Sequence, residues 1–124
     1  MFDSIGIAVK DSAKSLEFYS LFGLDFKNFD DSHFEAKTTC GIRIMLDTHE
    51  LLKKINLDWR ESINPTTTLG FSQNKPSDVD FLYKKVVQKG YRSIHEPWDA
   101  FWGQRYASVL DPDGNQIDIF SDLD

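Results

Sequence analysis

The sequence predicts an α+β fold: two βαβββ modules forming a curled mixed sheet, with helices on the convex face. Three observations lead there. Apolar residues alternate with a period of two over most segments, and two stretches switch to a helical period. Turn residues cut the chain into short pieces between them. The order strand, helix, three strands occurs twice, with Gly6 matching Gly70 and Tyr19 matching Tyr83 at one common offset. The expected organisation is one domain of two repeats, residues 1–47 and 66–124, with an insert at 48–65. A chain of 124 residues buries roughly two thirds of its unfolded surface, enough for a core without covalent staples.

Each element has a local reason. Over residues 2–9, Ile5, Ile7 and Val9 share one face, and the small residues Ser4, Gly6 and Ala8 share the other. Asp11 or Ser12 is placed to cap a helix running through Ala13, Leu16, Tyr19 and Phe22, widened by Phe18 and Leu21, and Gly23 to end it. Residues 24–29, 34–38 and 42–46 read as strands separated by Asp30-Asp31-Ser32 and Cys40-Gly41. In the insert, His49 to Ile55 suits one or two helical turns. Thr67 to Ser72 opens the second unit. Ser77 is the expected cap of a helix with Val79, Leu82, Tyr83 and Val86 on one stripe, closed by Gly90. Strands at 92–95, 104–110 and 115–120 follow, the last two joined by Asp111-Pro112-Asp113-Gly114. Alternation sends Ile5, Ile7, Ile44, Leu69, Phe71, Ile117 and Ile119 under the helices. It sends Ser4, Met45, Thr68, Asp118 and Phe120 to the concave side.

Composition narrows the function. Fourteen basic against 20 acidic residues give a net charge of −6, which repels polyanions, so nucleic acid and anionic membrane are poor partners. A single cysteine, Cys40, excludes an internal disulfide and a thiolate-rich zinc site. Apolar runs are far too short for a membrane span, and the start lacks the pattern of a signal peptide, so a cytoplasmic protein is the expectation. Ten Phe, four Tyr and three Trp must fill a core, a pocket or an interface.

Most chemistry-bearing residues have an ordinary reading. His33, His49 and His95 fall in a turn, the insert and a strand end, with no metal-ligand spacing, and read as surface or pocket histidines. Cys40 has no neighbouring His or Lys to activate it and reads as an inert thiol. Asp111-Pro112-Asp113-Gly114 reads as turn structure. The segment 97–103 is different, because Trp98, Phe101 and Trp102 exceed what a connection needs. They serve either as hydrophobic closure or a dimer contact, or as a stacking wall for a flat ligand with Arg105 as donor or cation. Tyr106, Phe34, Met45 and Phe120 are further lining, and Trp59 is a candidate lid residue.

Two stretches carry a family resemblance. Ile5-Gly6-Ile7-Ala8-Val9-Lys10-Asp11 is followed by Ser15-Leu16-Glu17-Phe18-Tyr19 and Phe22-Gly23-Leu24. Trp102-Gly103-Gln104-Arg105-Tyr106 is followed by Asp111-Pro112-Asp113-Gly114-Asn115 and Ile117-Asp118-Ile119. The chain resembles the vicinal oxygen chelate superfamily of glyoxalases, bleomycin-resistance proteins, fosfomycin-resistance enzymes and extradiol dioxygenases. In its metal-dependent members, inward residues on the first and last strand of each module hold a divalent cation. The resemblance carries those positions onto Ser4, Met45, Thr68 and Asp118. Only Asp118 is a sound ligand, and catalytic metals want about three such donors.

The resemblance thus points to the metal-free, bleomycin-resistance-like branch and to a small-molecule binding protein of the sequestration or drug-resistance type. No metal or other cofactor is expected. Met45, Trp98, Phe101, Trp102, Arg105, Tyr106, Asp118 and Phe120 are the expected ligand-binding residues, and the acidic charge favours a cationic, aromatic ligand. Asp118 is read as a structural or ligand-orienting carboxylate, or a partner for Arg43, ahead of a general base. The family implies a homodimer. The alternative is a metal-dependent lyase, isomerase or dioxygenase of the same superfamily using Asp118 and unrecognised donors.

Overall fold

A computed structural model describes residues 1–124. It holds two compact units, residues 1–63 and 64–124. The first contains β1 (Ser4–Val9), α1 (Ser12–Ser20), β2 (Lys27–Asp30), β3 (His33–Lys37), β4 (Arg43–Thr48) and α2 (His49–Ile55). The second contains β5 (Thr68–Ser72), α3 (Pro76–Gln88), β6 (Ser93–Ala100), β7 (Gln104–Leu110) and β8 (Gln116–Asp122). Each unit has one four-stranded mixed sheet, ordered β1-β4-β3-β2 and β5-β8-β7-β6. In both, the first strand pairs in parallel with the last, and the other pairings are antiparallel. The α+β fold is therefore as predicted, with βαβββ connectivity used twice.

In the first unit Ile7, Leu46 and Phe34 are aligned across three strands, as are Ile5, Ile44 and Ala36. This face is the buried one, with only Ile5 half-buried. From α1, Ser15, Phe18 and Tyr19 are buried, and the edge-to-face pair Phe18–Tyr19 has centroids 5.0 Å apart. Here the structure corrects the helical stripe, because Ala13 is exposed and Ser15 takes its place. The Asp11 side chain caps α1 by accepting from the Lys14 amide, and Gly23 leaves the helix at φ +83°.

In the second unit Val79, Leu82 and Val86 of α3 are buried, as are Ala107, Val109, Ile117 and Ile119 of the sheet. The cap of α3 is Lys75, not Ser77, and its side chain makes no capping bond. Pro76 explains the shift: it has no amide hydrogen and suits the first helical position, which moves the cap one residue ahead of it. Asp111 is buried and accepts from the amides of Asp113 and Asn115 and from Asn115 Nδ2, at 2.8–2.9 Å. With Gly114 at φ +87°, this segment is the turn its composition predicts. No helix is long and apolar enough to cross a membrane.

The largest departure is β6. Arg92 to His95 reads as a short strand followed by an aromatic connection, but the strand continues to Ala100. Only Phe101-Trp102-Gly103 makes the turn. Pro97 is tolerated because β6 is an edge strand, where a missing amide donor leaves no ladder bond unmade. The pairing with β7 slips on either side of His95.

Candidate functional site

Continuation of β6 places Trp98 directly opposite Tyr106, and Tyr106 is opposite Phe120 on β8. All three side chains share the sheet face turned away from α3. Trp102 joins them from the turn. The rings form one unbroken row: Trp98–Trp102 at 5.5 Å, Trp102–Tyr106 at 5.2 Å and Tyr106–Phe120 at 5.9 Å between centroids. The first two contacts are edge-to-face, and the last is a stack with planes 21° apart. His95 extends the row beyond Trp98 at 5.1 Å. Phe101, 90% exposed, touches Trp98 and Trp102 from the tip of the turn. The Trp102 indole N–H donates to Gln104 Oε1 at 2.8 Å, so the ring is held though half exposed.

Asp118 is two residues before Phe120 on β8, on the same face as this row and opposite Ser108. It is buried and accepts three hydrogen bonds. Tyr106 Oη donates to Oδ2 at 2.6 Å, and Ser108 Oγ and Gln116 Nε2 donate to Oδ1 at 2.7 and 2.9 Å. None of these donors is a cation, so the carboxylate is satisfied but its charge is not cancelled. Burial first, and the bond to Asp118 second, push the Tyr106 phenol up to about 12. It therefore stays a donor across the ordinary pH range.

Three residues expected near this site lie elsewhere. Arg105 follows Gln104 and precedes Tyr106, so its side chain leaves the strand on the opposite face. There Nε and Nη2 donate to Asp80 of α3 at 2.9 and 3.0 Å, and Nη1 to Asp99 at 3.0 Å. It ties α3 to the sheet and is not part of the aromatic row. Arg43 does not serve Asp118 either: its partners are Glu35, at 2.7 Å, and Asp3. Phe34 also fails as lining, because it is buried on the helix-covered side of the first sheet.

Met45 is on the open face of the first sheet, opposite Gly6 on β1 and Glu35 on β3. Around it is a group that alternation had the means to find and the turn reading of His33 hid. His33 begins β3 and bonds both Glu35 and Asp47. The bond to Asp47 is the main reason, and that to Glu35 the next, that its imidazole is held above its ordinary range. Trp59 packs on His49 at 4.9 Å within the insert. Cys40 is exposed, and its thiol is lowered, first by the Thr38 hydroxyl and then by the Ile42 backbone. The structure thus supplies a cause that charge-based reading overlooked.

The resemblance carries the family's cation positions onto Ser4 and Met45 in the first unit and Thr68 and Asp118 in the second. Two hydroxyls, a thioether and one carboxylate already bound by three donors do not fit a divalent ion. Nor does any group of three or more His, Cys, Asp or Glu side chains meet the geometry of a metal site.

A twice-used βαβββ unit, each copy with one four-stranded mixed sheet whose first and last strands pair in parallel, defines a class of α+β fold. Within that class, the family model of the Glyoxalase/Bleomycin resistance protein/Dioxygenase superfamily matches residues 1–119. The chain belongs to that superfamily. Solved structures agree on the fold. A glyoxalase-related enzyme from Fulvimarina pelagi superposes with a TM-score of 0.86 at 17% identity, over 98% of this chain and 88% of that one. A glyoxalase/bleomycin resistance protein/dioxygenase family enzyme from Burkholderia phytofirmans gives 0.81 at 21% identity, over 98% of both chains. A protein of unknown function from Agrobacterium tumefaciens gives 0.76 at 25% identity, over 99% of this chain and 94% of that one. No curated protein matches the sequence.

Proposed function

We propose that this chain is a metal-independent small-molecule binding protein that holds a flat organic cation against the aromatic row of its second unit, without making or breaking a bond. One observation carries the reading: the row Trp98, Trp102, Tyr106 and Phe120 runs to a carboxylate, Asp118, whose partners are all neutral. Ring faces attract cations, and Asp118 supplies the counter-charge. Removal of Arg105 to the other face strengthens the argument, since a guanidinium in the row would have selected an anion. The net charge of −6 raises the local concentration of a cationic ligand. The chemistry of Ser4, Met45, Thr68 and Asp118 supports metal independence.

The test is tryptophan fluorescence of the intact chain titrated with N-methylquinolinium and with the uncharged 1-methylnaphthalene. The cation is expected to quench saturably and to bind more tightly than its neutral counterpart. Asp118→Asn should weaken that binding about fivefold or more, the equivalent of roughly 1 kcal/mol, and Trp102→Ala should weaken it further. A chelator should change nothing. Equal affinity for the two probes defeats the cation reading. Loss of binding to a chelator, restored by zinc, manganese or iron, defeats metal independence and leaves the superfamily's lyase, isomerase or dioxygenase chemistry in its place.

A further inference from the structure

Five charged side chains form one line on and beside the open face of the first sheet: Asp3, Arg43, Glu35, His33 and Asp47. Arg43 donates to Asp3 and, at 2.7 Å, to Glu35 Oε1. His33 Nε2 bonds Glu35 Oε2 at 2.6 Å, and His33 Nδ1 bonds Asp47 Oδ1. A neutral imidazole has one N–H and one lone pair, whereas a carboxylate has only acceptor positions. Two ring nitrogens bonded to two carboxylates therefore require the imidazolium. Loss of its proton to solvent turns one of these bonds into a contact between a lone pair and a negative oxygen.

The position of this ion gives it something to hold. Asp47 is opposite His33 in the β3–β4 register. On the far side β2 is an edge strand with all four residues exposed, joined to the sheet only through β3. Its register slips between Asn28 and Asp30. The turn between β2 and β3 is anchored by the Thr48 amide, which donates to the Ser32 carbonyl at 3.0 Å, next to His33 in sequence. The Phe29 ring of β2 is 5.7 Å from the imidazole.

We propose that His33 is a pH-operated clamp: as an imidazolium braced by Glu35 of its own strand it fastens the β2–β3 hairpin to β4 through Asp47, and loss of its proton releases that end of the hairpin. The surrounding charges favour the closed form. Asp30 stands opposite His33 on β2, and Lys27 opposite Glu35. Arg43 on β4 is already matched by Asp3 and Glu35. The β1 residues on this face, Ser4, Gly6 and Ala8, carry no charge. Lys10, Asp31, His49 and Glu50 line a surface depression beside the turn, with Asp30, Ser32 and Thr48.

The clamp has two limits. Glu35 is held below its ordinary 4.5, first by His33 and then by Arg43. Its share is present above that value and lost as pH falls through the lowered one. His33 is held above its ordinary 6.5, so its share is full below 6.5 and lost as pH rises through the raised value. With the imidazole about a quarter exposed, at 24%, solvent reaches it and the clamp equilibrates with bulk pH.

An NMR titration of the full chain from about pH 5 to about pH 9 tests this, following the His33 ring, assigned with His33→Gln, and the exchange protection of the Thr48 amide. His33 should keep both ring protons above pH 6.5, and Thr48 protection should fall several-fold through the His33 midpoint. In His33→Gln, protection should be low and independent of pH. Should that variant fail to fold, the wild-type titration decides alone. Loss of a ring proton at or below 6.5, or Thr48 protection that passes the His33 midpoint unchanged, overturns the proposal.

Discussion

At Gly70 a Cβ would stand 3.1 Å from Phe120 Cε1, whereas at Gly6 it would meet Met45 Cε at 3.7 Å. The two glycines match in the repeat, yet their surroundings differ. The contact at Gly6 is an ordinary one, so Gly6→Ala should leave stability unchanged or raised by about 0.4–1 kcal/mol, through lost freedom of the unfolded chain. At Gly70 the same gain is offset by displacement of a half-buried ring, at a cost of about 1 kcal/mol. Gly70→Ala should therefore melt near the wild-type temperature while binding N-methylquinolinium more weakly, because the Tyr106–Phe120 stack has shifted. Parallel melts and fluorescence titrations of both variants check this, and Gly6→Ala should bind as wild type. The matched glycines were legible as a repeat. Which one adjoins an aromatic ring was not, since that depends on a residue 50 positions away in the parallel partner strand.

At the scale of elements, the helix starts are unequal. Asp11 accepts from the Lys14 amide at 3.3 Å, while Lys75 begins α3 with no side-chain bond and a positive charge at the helix N-terminus. Asp11→Ala should cost about 1 kcal/mol, and Lys75→Asp should gain about 1 kcal/mol. Urea unfolding that follows each unit separately reads both changes. Local signals placed α1, α2, α3 and β7 close to their observed limits, because caps, turn glycines and periodicity act over a few residues. They failed at β6, where the strand was expected to end at His95 and residues 97–103 to form a connection. A proline ends a central strand but not an edge strand, and edge position is set by the strand order of the whole sheet. That error put Trp98 in a loop and concealed its pairing with Tyr106.

At the scale of the molecule, each unit has its own apolar layer between helix and sheet, and its own open face of different character. The first face is a line of alternating charges, each cation set between carboxylates, and the second is aromatic with an uncancelled carboxylate. A chain of net charge −6 acts on a cationic ligand beyond direct contact, and salt screens that action over about 10 Å at 0.1 M. Affinity for N-methylquinolinium should therefore fall as sodium chloride is raised, while that for 1-methylnaphthalene stays level or rises. Isothermal or fluorescence titrations at low and high salt check this, and identical salt dependence for the two probes would contradict a field effect.

Read alone, the sequence determined the class of fold, the repeat, the turn at Asp111 and the chemical poverty of Ser4, Met45 and Thr68 as ligands. These follow from alternation, turn chemistry and donor type, which are properties of a residue and its near neighbours. Tertiary structure decided which charges meet: Arg105 with Asp80 across to a helix, Arg43 with Asp3 and Glu35, and Asp118 with three neutral donors. It also put His33 between two carboxylates, Glu35 and Asp47. Such pairings depend on strand register and on which side of a pleat each side chain leaves. A shift of one residue reverses the side, and only the paired sheet fixes it.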